Sequence, residues 1–132
     1  GTAALTALGL ERLDLRRQTT FDRFVFRMFD SGCAERILGV VARSADAALL
    51  LEPGSVDVLY VDGDHAAAAF LADLAAWWPT IREGGLVLGH DWSLVETPAR
   101  LFATAHATAA LPSDTKERPD LTWTQTWTMR KP

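Results

Sequence analysis

The sequence predicts an α/β fold, and three observations carry that reading. Apolar runs of strand length alternate with stretches of helical periodicity. Two such runs, Val56–Val61 and Leu86–Leu88, flank one helical stretch, as parallel strands joined by a crossover helix do. Both runs stop at polar residues: Asp62-Gly63-Asp64-His65 after the first, His90-Asp91 after the second. Parallel strands place their carboxyl ends on one edge of the sheet, and ligands bind outside that edge. Asp62, Asp64, His65, His90 and Asp91 are therefore expected at one rim, which is the candidate site.

Length and composition narrow the possibilities. A chain of 132 residues that is 48% hydrophobic is read as one domain, residues 1–132, with a real core. A domain of this size buries roughly two thirds of its unfolded surface. The net charge of −4 and the scattered arginines argue against a nucleic-acid footprint, which needs a basic patch. No apolar run reaches the roughly 18 residues of a membrane span. The opening GTAALTALGL lacks the basic flank of a signal peptide. The single cysteine, Cys33, cannot close an internal disulfide and has no partner for a C-x-x-C motif. It reads as a plain thiol and fits a reducing cytoplasm, the expected location. The chain begins at glycine, so it reads as a fragment, a processed chain or an expressed piece.

In order along the chain, residues 3–11 are Ala/Leu-rich and helical in propensity, weakened by Gly9. Residues 12–16 alternate polar and apolar, as a short strand does. Thr20 is expected to cap the next helix, in which Phe21, Phe24, Val25, Met28 and Phe29 form an apolar stripe. Such a stripe is core packing far more often than a binding face. Ser31-Gly32 ends that helix. Ile37–Val41 reads as a second strand, with Ser44 just past it, and a short helix over residues 45–51 runs to the turn at Pro53-Gly54. Asp64 is placed to cap a helix starting near His65. Phe70 or Leu71, Leu74, and Trp77 or Trp78 mark its buried face, and Asp73 its solvated one. Pro79 breaks it and Gly84-Gly85 turns the chain into the next strand. A loop is expected over Trp92–Pro98, a helix over residues 99–110 with His106 as a packing or surface residue, and a polar loop over residues 111–120. In residues 121–131, Leu121, Trp123, Gln125, Trp127 and Met129 alternate with threonines and Arg130, as one long strand or a hairpin near Gln125 would.

The rim residues suit two kinds of chemistry. Carboxylates at adjacent strand ends bind hard divalent cations, and Asp62 with Asp91 is the natural pair for Mg²⁺. His90 as a third ligand shifts the preference toward Mn²⁺ or Zn²⁺. His65, at a helix start three residues past Asp62, is a candidate general base. The bland alternative makes Asp64 a cap only, and His65 and His90 hydrogen-bonding turn residues. The sequence holds no Walker loop, zinc-finger spacing or G-x-G-x-x-G.

VDVLYVDGDH, an Ala/Leu/Trp helix with Asp73, and IREGGLVLGHDW together resemble the second half of a class I S-adenosylmethionine-dependent methyltransferase. The resemblance is to the small-molecule O-methyltransferase group of the macrocin, caffeoyl-CoA and catechol type, and extends over roughly residues 19–131. It implies a Rossmann-like, mostly parallel sheet of seven strands with antiparallel C-terminal strands, and S-adenosylmethionine lying over its carboxyl edge. It places Asp62 near both the metal and the methionine part of the cofactor. It sets His65 at the position of the residue that deprotonates the acceptor hydroxyl. His90 and Asp91 match the pair that completes the metal site, although the histidine departs from the family's Asp-Asn or Asp-Asp. Ser44 matches a residue beside the adenine, and Asp64 falls in the cofactor-facing turn.

The front of the chain departs further. The family's first strand and its E-x-G-x-x-x-G loop, which cradle the cofactor, are missing or truncated. Either Gly1-Thr2 is the trailing end of that loop, with Asp14 a candidate for the ribose acid, or the first third is absent. An opened sheet predicts exposed apolar edges, and hence a homodimer or a missing N-terminal segment. Three readings follow. The first is methyl transfer to a hydroxyl of a small-molecule substrate, assisted by a divalent metal. The second is a degenerate or truncated domain serving as an interaction module. The third is a related small-molecule hydroxylase on the same scaffold.

Overall fold

The computed structural model describes residues 19–113 and 126–132. The expected helix at 3–11, the strand at 12–16, Gly1-Thr2, Asp14, and Leu121, Trp123 and Gln125 of the last strand lie outside the described residues. The chain forms two compact units, Gly1–Val41 and Ala42–Pro132, taken one at a time below.

In the first unit, α1 spans Thr20–Asp30. Its cap is Thr19, one residue before the expected Thr20. The Thr19 hydroxyl accepts from the Asp22 N–H at 3.2 Å, and the Asp22 carboxylate accepts from the Thr19 N–H at 2.8 Å. This reciprocal box satisfies two of the helix's free donors. At the other end Gly32 takes φ +72°, and Cys33 N–H reaches back to the Met28 carbonyl at 3.2 Å. Ile37–Val41, expected as a strand, is extended but pairs with no described strand. It lies instead over α1: a Cβ on Gly39 would sit 2.9 Å from the ring of Phe24 and 3.2 Å from that of Phe21. β-propensity supplied an extended backbone, but a strand also needs a neighbour for its N–H and C=O groups.

The second unit begins with α2, Ser44–Ala48, which starts one residue before and ends three residues before the expected helix over 45–51, and is followed by the glycine turn at Gly54 (φ +70°). Then come β1 (Val56–Val61), α3 (Ala67–Trp77), a 3₁₀ turn (Trp78–Thr80), β2 (Ile81–Gly89), α4 (Trp92–Ala105), β3 (Ala110–Pro112) and β4 (Trp127–Arg130). The sheet order is β1-β2-β4-β3. β1 and β2 are parallel, with Val58 opposite Leu86 and Val61 opposite Gly89; β4 runs antiparallel to both β2 and β3. The four described strands are thus a mixed α/β sheet, with the parallel pair and the antiparallel C-terminal strand that the sequence predicted.

Between Ile81 and Leu86 the ladder is interrupted. Ile81 pairs with Val56 and Leu86 with Val58, so four residues of β2 are accommodated opposite Asp57. Gly84 takes φ +70° there, and a Cβ on Gly85 would lie 2.6 Å from the Ile81 side chain and 2.8 Å from the Arg82 carbonyl. The Gly-Gly pair is what lets the strand restart.

Helices α3 and α4 cover one face of the sheet. Phe70 and Leu74 of α3, Val95, Ala99, Phe102 and Ala103 of α4, and Val87, Trp127 and Met129 of the sheet form the core. β4 alternates as expected, with Trp127 and Met129 buried and Thr128 and Arg130 outward. α4 corrects the expected loop at 92–98 and helix at 99–110. It starts at Trp92, carries Pro98 inside, and ends before His106. An interior proline costs about 3 kcal/mol. Burying Trp92, Val95, Ala99 and Phe102 outweighs it, since a large apolar side chain contributes roughly 1.5–3 kcal/mol. His106 is a packing residue: its ring stacks on Phe102 at 3.9 Å and meets Trp78 edge-on at 5.0 Å.

Candidate active site

The site is built where β1 and β2 end. β1 stops at Val61, and the His90 N–H donates to the Val61 carbonyl at 3.1 Å, so the two strands leave the sheet together. This pairing sets Asp62 beside His90 and Asp91. Asp64 does not cap α3 directly. Its carboxylate accepts from the Ala66 N–H at 2.8 Å, and the helix starts at Ala67 with no side-chain cap. Asp64 therefore tightens the turn that carries His65.

Asp91 is the hub. It has φ +55° and ψ +45°, a left-handed conformation. Aspartate tolerates that region better than most residues, though holding it costs on the order of 1–3 kcal/mol. Asp91 also occupies the N-cap position of α4, yet its side chain makes no capping bond. The carboxylate points to the rim instead. One oxygen lies 2.6 Å from His65 Nε2 and the other 3.1 Å from His90 Nδ1. His90 Nδ1 is in turn 3.9 Å from Asp62. The His90 hydrogen bond is the main cause of a lowered Asp91 pKa; partial desolvation opposes it, and the charges of His90 and His65 and the His65 hydrogen bond reinforce it.

A spacing of 2.6 Å between imidazole and carboxylate requires a proton on His65 Nε2. The lone pair of neutral His65 is then on Nδ1, and the carboxylate stands ready to stabilise the imidazolium. The same residues offer a donor set: Asp62, His65 and Asp91 each bring one ligand atom, all within 4.8 Å of one another. All of the rim side chains keep contact with solvent.

Next to the rim is a cleft of about 230 Å³ lined by Ser44, Leu59 to Gly63, Asp73 and Trp77. Ser44 is among the lining residues, and its hydroxyl accepts the Trp77 indole N–H at 2.9 Å. Asp62 belongs to both cleft and rim. Asp64 and His65 are outside the cleft lining. Asp73, read as solvated, is half-buried and turns toward Gly63, with a Cβ there falling 3.2 Å from its carboxylate. Its signal in the sequence was a lone carboxylate in a helix otherwise made of Ala, Leu, Phe and Trp. The second feature not foreseen is Trp127, which donates its indole N–H to the His90 carbonyl at 3.1 Å.

Comparison with known proteins adds one match. A family model described as a methyltransferase domain covers residues 2–92, more than half of the chain and all of the stretch that carries the rim. No curated protein matches. Among the described residues, no helix is long and apolar enough to cross a membrane. With two parallel strands ending in one acidic rim beside a cleft, and the family match running through both, the chain belongs to the class I S-adenosylmethionine-dependent methyltransferases.

Proposed function

We propose that the chain transfers a methyl group to a hydroxyl of a small molecule, with His65 as the general base. The observation that carries this is the 2.6 Å pairing of His65 Nε2 with Asp91 at the carboxyl edge of the sheet. It leaves His65 Nδ1 free to accept a proton from an acceptor hydroxyl approaching the rim. The oxygen, as it loses that proton, becomes the nucleophile, and Asp91 stabilises the charge gained by the ring. Asp62, at the lip of both cleft and rim, is placed to orient the two partners.

The family's methyl donor is S-adenosylmethionine, which when bound supplies an electrophilic methyl group on a sulfonium. The described residues fit part of it. Leu59, Val61 and Trp77 offer an apolar wall for a flat heterocycle, and Asp62 and Asp73 offer carboxylates for a cationic group. At about 230 Å³ the cleft falls below the roughly 300–1,000 Å³ of pockets that enclose whole ligands. In this reading Ser44, Asp62 and Asp64 contribute to cofactor binding without enclosing the cofactor by themselves.

A divalent metal belongs to the same proposal. Asp62, His90 and the Asp91 oxygen facing His90 are the ligand set compatible with His65 as base. The donor set Asp62, His65 and Asp91 would instead commit the His65 ring to the metal. An imidazole ligand favours Mn²⁺ or Zn²⁺ over Mg²⁺, and a bound cation would lower the pKa of the acceptor hydroxyl.

The test uses methyl-labelled S-adenosylmethionine with a panel of catechol, phenol and sugar hydroxyl acceptors, with and without Mn²⁺. His65→Gln should lose on the order of 10²–10⁴-fold in turnover, the usual range for a general base. His90→Ala should retain turnover and lose its stimulation by metal. Wild-type turnover in His65→Gln would end the base assignment. Loss of metal stimulation in His65→Gln but not in His90→Ala would assign the metal to His65.

A further inference from the structure

The geometry points to Trp127 as a positioning residue for the site, one that aims the Asp91 carboxylate without touching the reacting atoms. The inference rests on the reading of the Asp91–His65 pair as the working part of the rim. Trp127 is fully buried in β4, directly opposite Gly89 in the antiparallel ladder. Its indole lies back across Gly89, in the space that a Cβ at that position would occupy. From there its N–H donates to the His90 carbonyl at 3.1 Å. Phe70 of α3 meets the ring edge-on at 5.8 Å.

The bond to the His90 carbonyl has a specific consequence for the next residue. That carbonyl belongs to the peptide plane between His90 and Asp91. Fixing its direction fixes the rotation of the plane, and with it φ of Asp91. The His90 N–H is held by the Val61 carbonyl, and the Asp91 carbonyl accepts from Leu94 at 2.8 Å and from Val95 at 3.2 Å. The His90 carbonyl is a further handle on the turn, and Trp127 holds it. A rotation about the Asp91 N–Cα bond that His90 ψ does not compensate would take Asp91 out of the left-handed region that it now occupies and swing its Cα–Cβ bond away from the rim. The carboxylate would then leave both His65 and His90. No rim residue and no local sequence pattern reveals this link, because the two partners are 37 positions apart.

The test is made on the full chain by nuclear magnetic resonance, and needs neither substrate nor cofactor. In the wild type, the indole N–H of Trp127 should exchange with solvent far more slowly than a free indole, and the ring N–H proton of His65 should appear downfield, as expected for a bond to a carboxylate. Trp127→Phe keeps a ring in the core and removes only the donor; the downfield His65 signal should be lost. Phe70→Leu, which disturbs the packing of the same ring but leaves its donor, should keep the signal. An indole N–H exchanging at the free rate in the wild type would overturn the inference, and this result does not depend on any variant folding. An unchanged His65 signal in Trp127→Phe would overturn it too, as would equal loss in both variants. A lost signal in Trp127→Phe alone supports it, even if no acceptor is ever methylated, so this inference and the proposed activity can fail separately.

Discussion

Asp91 shows how one residue's backbone can decide a site's chemistry. At the head of α4, an aspartate would ordinarily spend its carboxylate on the helix's own N–H groups. The left-handed backbone of Asp91 turns the side chain outward, so that its two oxygens divide between His65 and His90. The pKa of Asp91 is lowered, so its folded value lies below the unfolded value of about 3.9. The sign follows from linkage: whatever stability the ionised carboxylate contributes is complete above the ordinary carboxylate range and is lost as pH falls through the folded value. Carboxyl ¹³C titration should therefore find Asp91 titrating below ordinary aspartates, and His90→Ala should raise its midpoint, since the His90 bond is the largest cause. A midpoint unmoved by that change would contradict the assignment. Gly89 offers a second residue-scale prediction. Gly89→Ala forces a methyl group into the Trp127 indole, and overpacking of this kind costs about 1–3 kcal/mol. Thermal unfolding should register that loss; an unchanged midpoint would mean the ring can move aside.

At the scale of elements, α1 and α4 show what local signals can and cannot carry. α1 is held at its start by the reciprocal Thr19–Asp22 bonds. Thr19→Ala should cost about 1 kcal/mol and fray the first turn, seen as faster amide exchange near Asp22; full protection there would show that the cap is idle. The strands β1 and β2 and the Gly-Gly irregularity before Leu86 were legible, because each is written in a few consecutive residues. The stripe of α1 was legible as a pattern, but its expected core packing is corrected, since no residue of α1 is buried and Phe21 and Phe24 are exposed. α4 was not: Pro98 is the strongest local breaker signal, and what overrides it is contact with α3 and the sheet. Ile37–Val41 failed in the opposite sense. Its propensity for extended structure was read correctly, but pairing is a property of a second segment. At the rim, the gathering of Asp62, His65, His90 and Asp91 was legible from strand ends alone. Asp73 and Trp127 were missed because their roles depend on which way a helix face turns and on which strand lies opposite Gly89.

For the whole molecule, the position of each strand in the sheet sets a gradient of stability. β2 has β1 on one side and β4 on the other, whereas β1 has a described partner on one side only. The outward residues of β1, Val58 and Tyr60, are 54% and 53% exposed. Amide exchange should therefore be slowest over Leu86–Gly89, and measurably faster over Val56–Val61. Equal protection in the two strands would mean that β1 has a second neighbour in solution. The same gradient places the candidate site on the boundary between the firm strand and the looser one. Asp62 follows the looser strand, and His90 and Asp91 follow the firm one.

The bond from Trp127 to the His90 carbonyl also gives the site a birth order. Every titratable group of the rim has been polymerised once Asp91 leaves the peptidyl-transferase centre. The indole that aims Asp91 comes 36 residues later, from 91 to 127. At synthesis rates of about 5–20 residues per second, that is a delay of roughly 2–7 s. During it, the ribosome holds a chain with its acids and histidines in place and no wedge behind the turn. On a nascent chain, then, the rim matures from its far end, and a stall between these two points would leave the titratable groups made and Asp91 not yet aimed.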